Sequence, residues 1–279
     1  MQPVMSRRSL PAGETLALDF AEVSEPGRVR DHNEDYLGHA RPSTPARARS
    51  HGWLFALADG VGGHDLGEVA SREAVEHLLA GFREAPAGEP LRTLLGRLVQ
   101  SANLHVYETG KQAGPGGLAM ATTIVACALR HDRAVVAHVG DSRCYLVRDG
   151  NARVLTRDHT VAGEHARLGI IAAGEAEGAS TSNILSRSLG SDLFVNVDIE
   201  EHALLPGDVL ALCCDGVHHS VRAEDIAAAA ASTDIHAAAR EIAALANQRD
   251  GSDNISVQLI RILSIERVGM YRGRPYTLR

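Results

Sequence analysis

The chain has 279 residues, 44% hydrophobic and 23% charged, with a formal net charge of −7. This composition excludes a disordered or fibrous polypeptide and is ample for a full hydrophobic core. The acidic balance argues against a nucleic-acid binder, which carries a basic stripe, and no run approaches the roughly 18 apolar residues of a membrane span.

Residues 1–13 read as a loose leader rich in Pro, Ser and Arg, and no apolar stretch follows Arg7-Arg8, so no signal peptide is expected. Thr15 to Val23 alternates as a strand. Arg41 to Ser50 reads as a polar loop between two strands. Trp53 to Ala58 is a short apolar run, expected to be a buried strand ending at Asp59. From Gly67 to Glu84 the residues Val69, Ala70, Ala74, Val75, Leu78, Leu79 and Phe82 recur at helical spacing. The stretch Ala85 to Pro90 breaks that helix, and a second amphipathic helix follows from about Leu91 to Glu108.

The middle of the chain reads as β. Strands are expected at Thr122–Leu129, Ala134–Val139, Cys144–Arg148 and Ala152–Thr156, with turns at His131-Asp132 and Asp149-Gly150-Asn151. Val161 to Leu189 reads as a surface excursion with a helical start. Phe194–Glu201 and Asp208–Cys214 are further strands. Ala-rich helices follow at Ala223–Ala231 and His236–Asn247, with a capping region at Ser232-Thr233-Asp234. Ile255–Leu263 is the closing strand. Without repeats or a linker, residues 14–263 form one domain, and residues 264–279 a basic tail.

Cys127, Cys144, Cys213 and Cys214 form no Cys-x-x-Cys pair and sit in apolar surroundings, so they read as reduced, buried thiols of a cytoplasmic protein. The chemistry lies elsewhere. Leu57-Ala58-Asp59-Gly60, Val139-Gly140-Asp141-Ser142, Cys213-Cys214-Asp215-Gly216 and Gly251-Ser252-Asp253-Asn254 share one pattern, a carboxylate beside glycine or asparagine, mostly ending an apolar run. Asn33-Glu34-Asp35 adds another acidic site. Strand tips hold carboxylates on rigid elements, and several together make an all-oxygen site for a hard divalent cation such as Mg²⁺ or Mn²⁺. Without a cation such carboxylates repel one another. The chain therefore reads as a metal-dependent hydrolase.

These segments resemble the bacterial branch of the type-2C (PPM) metal-dependent Ser/Thr protein phosphatases. The matching motifs run from Arg28-Val29-Arg30-Asp31-His32-Asn33-Glu34-Asp35 through Ala58-Asp59-Gly60-Val61-Gly62-Gly63-His64 and Ala121-Thr122-Thr123. They continue through Val139-Gly140-Asp141-Ser142-Arg143 and Asp158-His159 to Cys214-Asp215-Gly216-Val217 and Asp253-Asn254-Ile255-Ser256-Val257. A lone Asp-Gly carries no information; this ordered set, over roughly residues 15–262, does.

The resemblance implies an α+β fold, a central antiparallel β-sandwich with helix pairs on both outer faces. It implies that Asp59 bridges two Mn²⁺ or Mg²⁺ ions, that the Gly60 carbonyl binds one, and that Asp215 and Asp253 complete a shell. Glu34 acts on the second ion, and Asp35 and Asn254 support the ligands. Asp141, with Asp215, holds a third, weaker ion. Arg30 grips the phosphate, for which its planar fork is suited. The implied reaction is in-line attack of a metal-bridged water or hydroxide on the phosphate monoester of phosphoserine or phosphothreonine. Phosphorylated proteins and an opposing Ser/Thr kinase are the implied partners, and a monomer is expected. Arg143 and the Asp158-His159 pair read as structural. Val61 stands where eukaryotic relatives carry a histidine proposed as general acid, so the leaving-group proton has no assigned donor; His64 is expected to point elsewhere. A family member that had become a binding module would have lost these carboxylates. A small-molecule phosphatase of the same fold is also compatible with the motifs, since the excursion at 161–183, which aligns with a variable flap, names no substrate.

Overall fold

The computed structural model describes residues 15–61, 66–113, 120–175, 178–266, 268–271 and 274–277. The leader and His64 lie outside them. The chain runs through β1 (Leu16–Glu25), β2 (Asp35–Ala40), α1 (Pro45–Ser50), β3 (Trp53–Asp59), α2 (Gly67–Glu84) and α3 (Leu91–Gln112). Then come β4 (Ile124–Arg130), β5 (Arg133–Val139), β6 (Arg143–Arg148), β7 (Asn151–Val154) and α4 (Val161–Arg167). The second half holds β8 (Asp198–Ala203), β9 (Val209–Cys213), α5 (Asp215–His218), α6 (Ala223–Ala230), α7 (Ile235–Arg249), β10 (Ile255–Ile265), β11 (Val268–Tyr271) and β12 (Arg274–Thr277).

Two five-stranded antiparallel sheets, ordered β1-β10-β9-β6-β7 and β2-β3-β4-β5-β8, face each other. Helices α2 and α3 cover the outer face of the second sheet, and α6 and α7 that of the first. The expected sandwich with flanking helix pairs is the observed architecture. Because sandwich core and helices cover both faces of the central strands, β4, β5 and β9 are nearly continuous apolar runs rather than alternating ones. Helix α2 buries Ala70, Ala74, Val75, Leu78, Leu79 and Phe82, the stripe its periodicity predicts. Asp234 caps α7 by accepting from the amides of His236 and Ala237. The expected turns hold, with left-handed backbone at His131 (φ 55°), Asp149 (φ 51°) and Gly150 (φ 75°).

Three expectations differ from the structure. The segment 41–50 is not a loop throughout: Thr44 Oγ1 accepts from the Arg47 amide and starts the short helix α1. Phe194 to Val197 alternates but is not strand; the Val195 amide donates to the Gln100 side chain instead of a ladder partner, and β8 begins at Asp198. Beyond residue 263, β10 continues to Ile265, and β11 and β12 pair as an antiparallel hairpin within the presumed tail.

Candidate active site

Antiparallel pairing of β2 with β3 sets Asp35 directly opposite Asp59. Like charges at facing positions of a sheet repel, so this pairing needs a compensating partner. Asp59 is held through its backbone: its amide donates to Thr123 Oγ1 at 3.0 Å, and its carbonyl accepts from Thr122 Oγ1 and the Thr123 amide, each at 2.8 Å. The Ala121-Thr122-Thr123 motif thus fixes the strand tip through the backbone and leaves the carboxylate to the neighbouring acids, Asp215 among them.

The other acids arrive from both sheets. Asp215 opens α5 at the end of β9, Asp253 precedes β10, and Asp141 follows β5 through Gly140, whose φ is 104°. Asn254 is the staple of the site. Its Oδ1 accepts from the Glu34 amide at 2.8 Å, and its Nδ2 donates to the carbonyls of Pro26 and His32 at 3.2 and 2.9 Å. This ties the Arg30–Asp35 segment to the start of β10. Glu34 lays its carboxylate over the first turn of α2, where a Cβ on Gly67 would lie 2.8 Å from Oε1.

Gly60 and Gly216 are packing requirements. A Cβ at Gly60 would lie 2.5 Å from the Gly67 carbonyl, and one at Gly216 2.1 Å from the Asn254 carbonyl oxygen. Since a backbone carbonyl cannot yield as a flexible side chain does, Gly216→Ala should cost on the order of 2–3 kcal/mol of stability. A urea melt of the purified variant measures it, and an unchanged midpoint would refute the close approach.

The carboxylates disturb one another. Asp59 is pushed well above the ordinary carboxylate range by withdrawal from water and then by Asp35, Asp215, Asp141 and Asp253. Burial, with Asp215 and Asp253 nearby, raises Asp35 to about 7. Burial, with Asp215 and Asp158, raises Asp141 to about 7. Asp215 is likewise raised, first by burial. Asp35 is 7% exposed, and neither carboxylate oxygen has a partner at good hydrogen-bond geometry, the Ser256 and Cys214 side chains being close enough only to offset part of its upward shift. Buried polar atoms are normally satisfied, and here the orphaned oxygens face other carboxylates, so a cation is the group that fits.

Arg30 lies at the rim, 41% exposed; it donates to Asp253 Oδ2 at 2.8 Å and lies 3.9 Å from Glu34 Oε2. All the sequence-read site residues therefore converge. Asp35, read as a support, stands within the cluster itself. Arg143 and Asp158 form a bidentate pair, with contacts of 2.7 and 3.0 Å. His159 is fully buried, accepting from the Gly140 amide at Nδ1. Asp158 and His159, expected to pair with each other, are instead each held by other partners, and His159 groups with His138 and Asp198.

Sequence reasoning missed three neighbours. The Cys214 thiol lies within 4.8 Å of the Asp35 and Asp59 oxygens. It accepts from the Ser256 amide and donates to the Asn254 carbonyl. His218 donates to the Asp141 carbonyl at 3.0 Å. His219 Nδ1 lies 3.8 Å from Asp215 Oδ2, four residues along the chain. That i,i+4 spacing was the one available signal.

The family described as Protein phosphatase 2C matches residues 28–259, most of the chain. The serine/threonine phosphatase stp of Listeria welshimeri is 34% identical over 258 residues, covering 89% of this chain and 95% of that protein. Among solved structures, the S. agalactiae serine/threonine phosphatase is similar with a TM-score of 0.79 and 30% identity, over 88% of this chain and 100% of that one. The catalytic domain of the serine/threonine protein phosphatase PstP, in complex with two manganese ions, is similar with a TM-score of 0.74 and 30% identity, over 90% and 100% of the two chains. The ordered motifs, the sandwich that gathers them and these relatives agree: the chain belongs to the protein phosphatase 2C family.

Proposed function

We propose that the chain is a metal-dependent phosphatase of phosphoserine and phosphothreonine in proteins. The observation that carries this reading is the facing pair Asp35 and Asp59, with unpartnered buried oxygens on Asp35 and Asp141, Asp215 and Asp253 around them. The donor set is carboxylate and carbonyl oxygen, the preference of Mn²⁺ and Mg²⁺. Asp59 would serve two ions, with the Gly60 carbonyl, Asp215 and Asp253 as further ligands, Glu34 acting through water and Asp35 supporting the shell. Asp141 and Asp215 would hold a third. Bound divalent cations supply charge neutralisation for the phosphate and a water of lowered pKa.

The chain's own residues then position the substrate. Arg30 keeps one amino group on Asp253 and has exposed N–H groups left to grip phosphate oxygens. Asp253 does not depend on Arg30 for its orientation, because Oδ1 also accepts from the Asn254 amide at 2.8 Å. Arg30→Ala should therefore raise KM about tenfold or more, with a smaller effect on kcat. Manganese affinity by calorimetry should stay near that of the parent; abolished Mn²⁺ binding with KM unchanged would refute the phosphate role.

The substrates are then phosphorylated proteins, with a Ser/Thr kinase as the opposing enzyme, and the chain acts as a monomer. Four free, buried cysteines support a reducing, cytoplasmic setting, and no helix among the described residues is long and apolar enough to cross a membrane. The test is phosphate release from a phosphothreonine peptide in the presence of Mn²⁺ or Mg²⁺. No release with either ion from folded protein would sink the reading.

A further inference from the structure

A second concave site lies at the opposite end of β2 and β3 from the carboxylates. The paired register runs from Asp35↔Asp59 to Ala40↔Leu54, a span of about 17 Å at ~3.3 Å per residue. Beyond it is a cavity of about 310 Å³ lined by Arg41, Ser43, Arg47, His51, Phe82 and Arg83. Small-ligand pockets begin at roughly this size.

Its arginines are not spent on ion pairs. Arg97, Arg148 and Arg249 each engage a carboxylate, on Glu89, Asp208 and Asp225. Among the described residues, Arg41, Arg47 and Arg83 have no carboxylate partner. Arg47 donates to the Arg83 carbonyl at 2.5 Å, and Arg83 to the His39 carbonyl at 3.4 Å. The Arg41 guanidinium lies 5.7 Å from the centroid of the Trp53 ring. These contacts orient the side chains without neutralising them. In a chain of net charge −7, guanidiniums around one hollow form a local positive field that the sequence as a whole opposes.

The hollow is also rigid. Thr44 caps α1 through the Arg47 amide. His51, 5% exposed, donates from Nε2 to the Ala85 carbonyl at 2.7 Å and so locks α1 to the end of α2. Sites built on fixed elements bind with less ordering cost.

We propose that this cavity is a binding site for a phosphate monoester or inorganic phosphate dianion, remote from the carboxylate cluster. Several guanidiniums exceed what one carboxylate neutralises, whereas a phosphate dianion presents three acceptor oxygens to their planar forks. The same chemistry has two sources. One is a second phosphorylated side chain on a protein substrate, a possibility that rests on the phosphatase reading. The other is inorganic phosphate, which does not. For the first, an extended peptide needs at least five or so residues between its two phosphates to span the distance.

Trp53, the only tryptophan, meets the cavity solely through Arg41, so binding is read by isothermal titration calorimetry. The full chain is titrated in EDTA, where the carboxylate cluster holds no cation and repels phosphate. The probes are inorganic phosphate, a phosphothreonine peptide and the same peptide unphosphorylated. A saturable heat change is expected with the two phosphate-bearing probes and none with the third. Arg41→Gln with Arg83→Gln should weaken binding at least tenfold. Ser43→Asp, which adds a negative charge at an exposed position and removes no arginine, should do the same with an unchanged melting temperature. A phosphopeptide at least tenfold tighter than phosphate supports substrate docking, and equal affinities support a site for inorganic phosphate. No saturable heat change in the parent, or undiminished affinity in folded Ser43→Asp, overturns the proposal.

Discussion

Replacing Asp59 with asparagine should lower kcat at least ~10²-fold, the cost typical of losing one group that stabilises the transition state, while the fold is retained. The fold should persist because Asp59 is fixed by its backbone amide and carbonyl, through Thr122 and Thr123, and not by its carboxylate. Asparagine keeps the shape and removes the charge. The same change relieves repulsion from Asp35, Asp215, Asp141 and Asp253. Metal-free Asp59→Asn should therefore melt no lower than the metal-free parent at pH 8, although its turnover collapses. Steady-state kinetics paired with a melting curve separates a lost ligand from a damaged fold. Near-parental turnover in the folded variant would mean that Asp59 is not at the centre of the reaction.

Removing the metal should abolish activity, and it should also make stability depend on pH in a definite direction. Asp35 and Asp141 both rise to about 7 in the folded chain, chiefly through burial and secondly through neighbouring carboxylates, against roughly 3.9 for an ordinary aspartate. A carboxyl whose folded pKa is raised binds its proton more tightly folded than unfolded. Its contribution is then fully present below about pH 4 and is lost as pH rises through about 7. Chelated protein should lose on the order of a few kcal/mol between pH 5 and pH 8 from these groups, superimposed on the titration of the rest of the chain. Mn²⁺ should restore stability most at pH 8, because a cation binds the deprotonated cluster and compensates its repulsion. Denaturant melts at both pH values, with EDTA or with Mn²⁺, measure this. Full activity after exhaustive chelation, or a Mn²⁺ stabilisation that is equal at pH 5 and pH 8, would contradict the account.

Much of this molecule is legible in its sequence because local physics writes it there. The stripe Ala70, Ala74, Val75, Leu78, Leu79, Phe82 must be a helix face at 3.6-residue spacing, and it is. The apolar runs before Asp59 and at Cys213-Cys214 are buried strands, because only a strand covered on both faces tolerates such a run. The ordered tips at Asp59, Asp141, Asp215 and Asp253 announce a carboxylate site by their number and order, since a lone Asp-Gly, as at Asp149-Gly150, is a turn. Where tertiary contacts replace ladder bonds, the reading fails. Phe194 to Val197 has a strand's alternation, but the Val195 amide donates to the Gln100 side chain of α3 instead of a ladder partner.

What only the tertiary structure decides is which residues share a site. Strand register sets Asp35 against Asp59 and leaves its buried oxygens unpartnered; one residue of slip would send it to the other face. The sequence makes Asn254 a neighbour of Asp253, but only the folded chain shows it stapling the Arg30–Asp35 segment across more than two hundred residues. The arginines of the remote hollow come from a polar segment near residue 41 and the end of α2, and no periodicity links them. Local sequence fixes what each element is, because backbone and side-chain preferences are short-ranged. Packing and register fix what meets, because those contacts are summed over the whole fold.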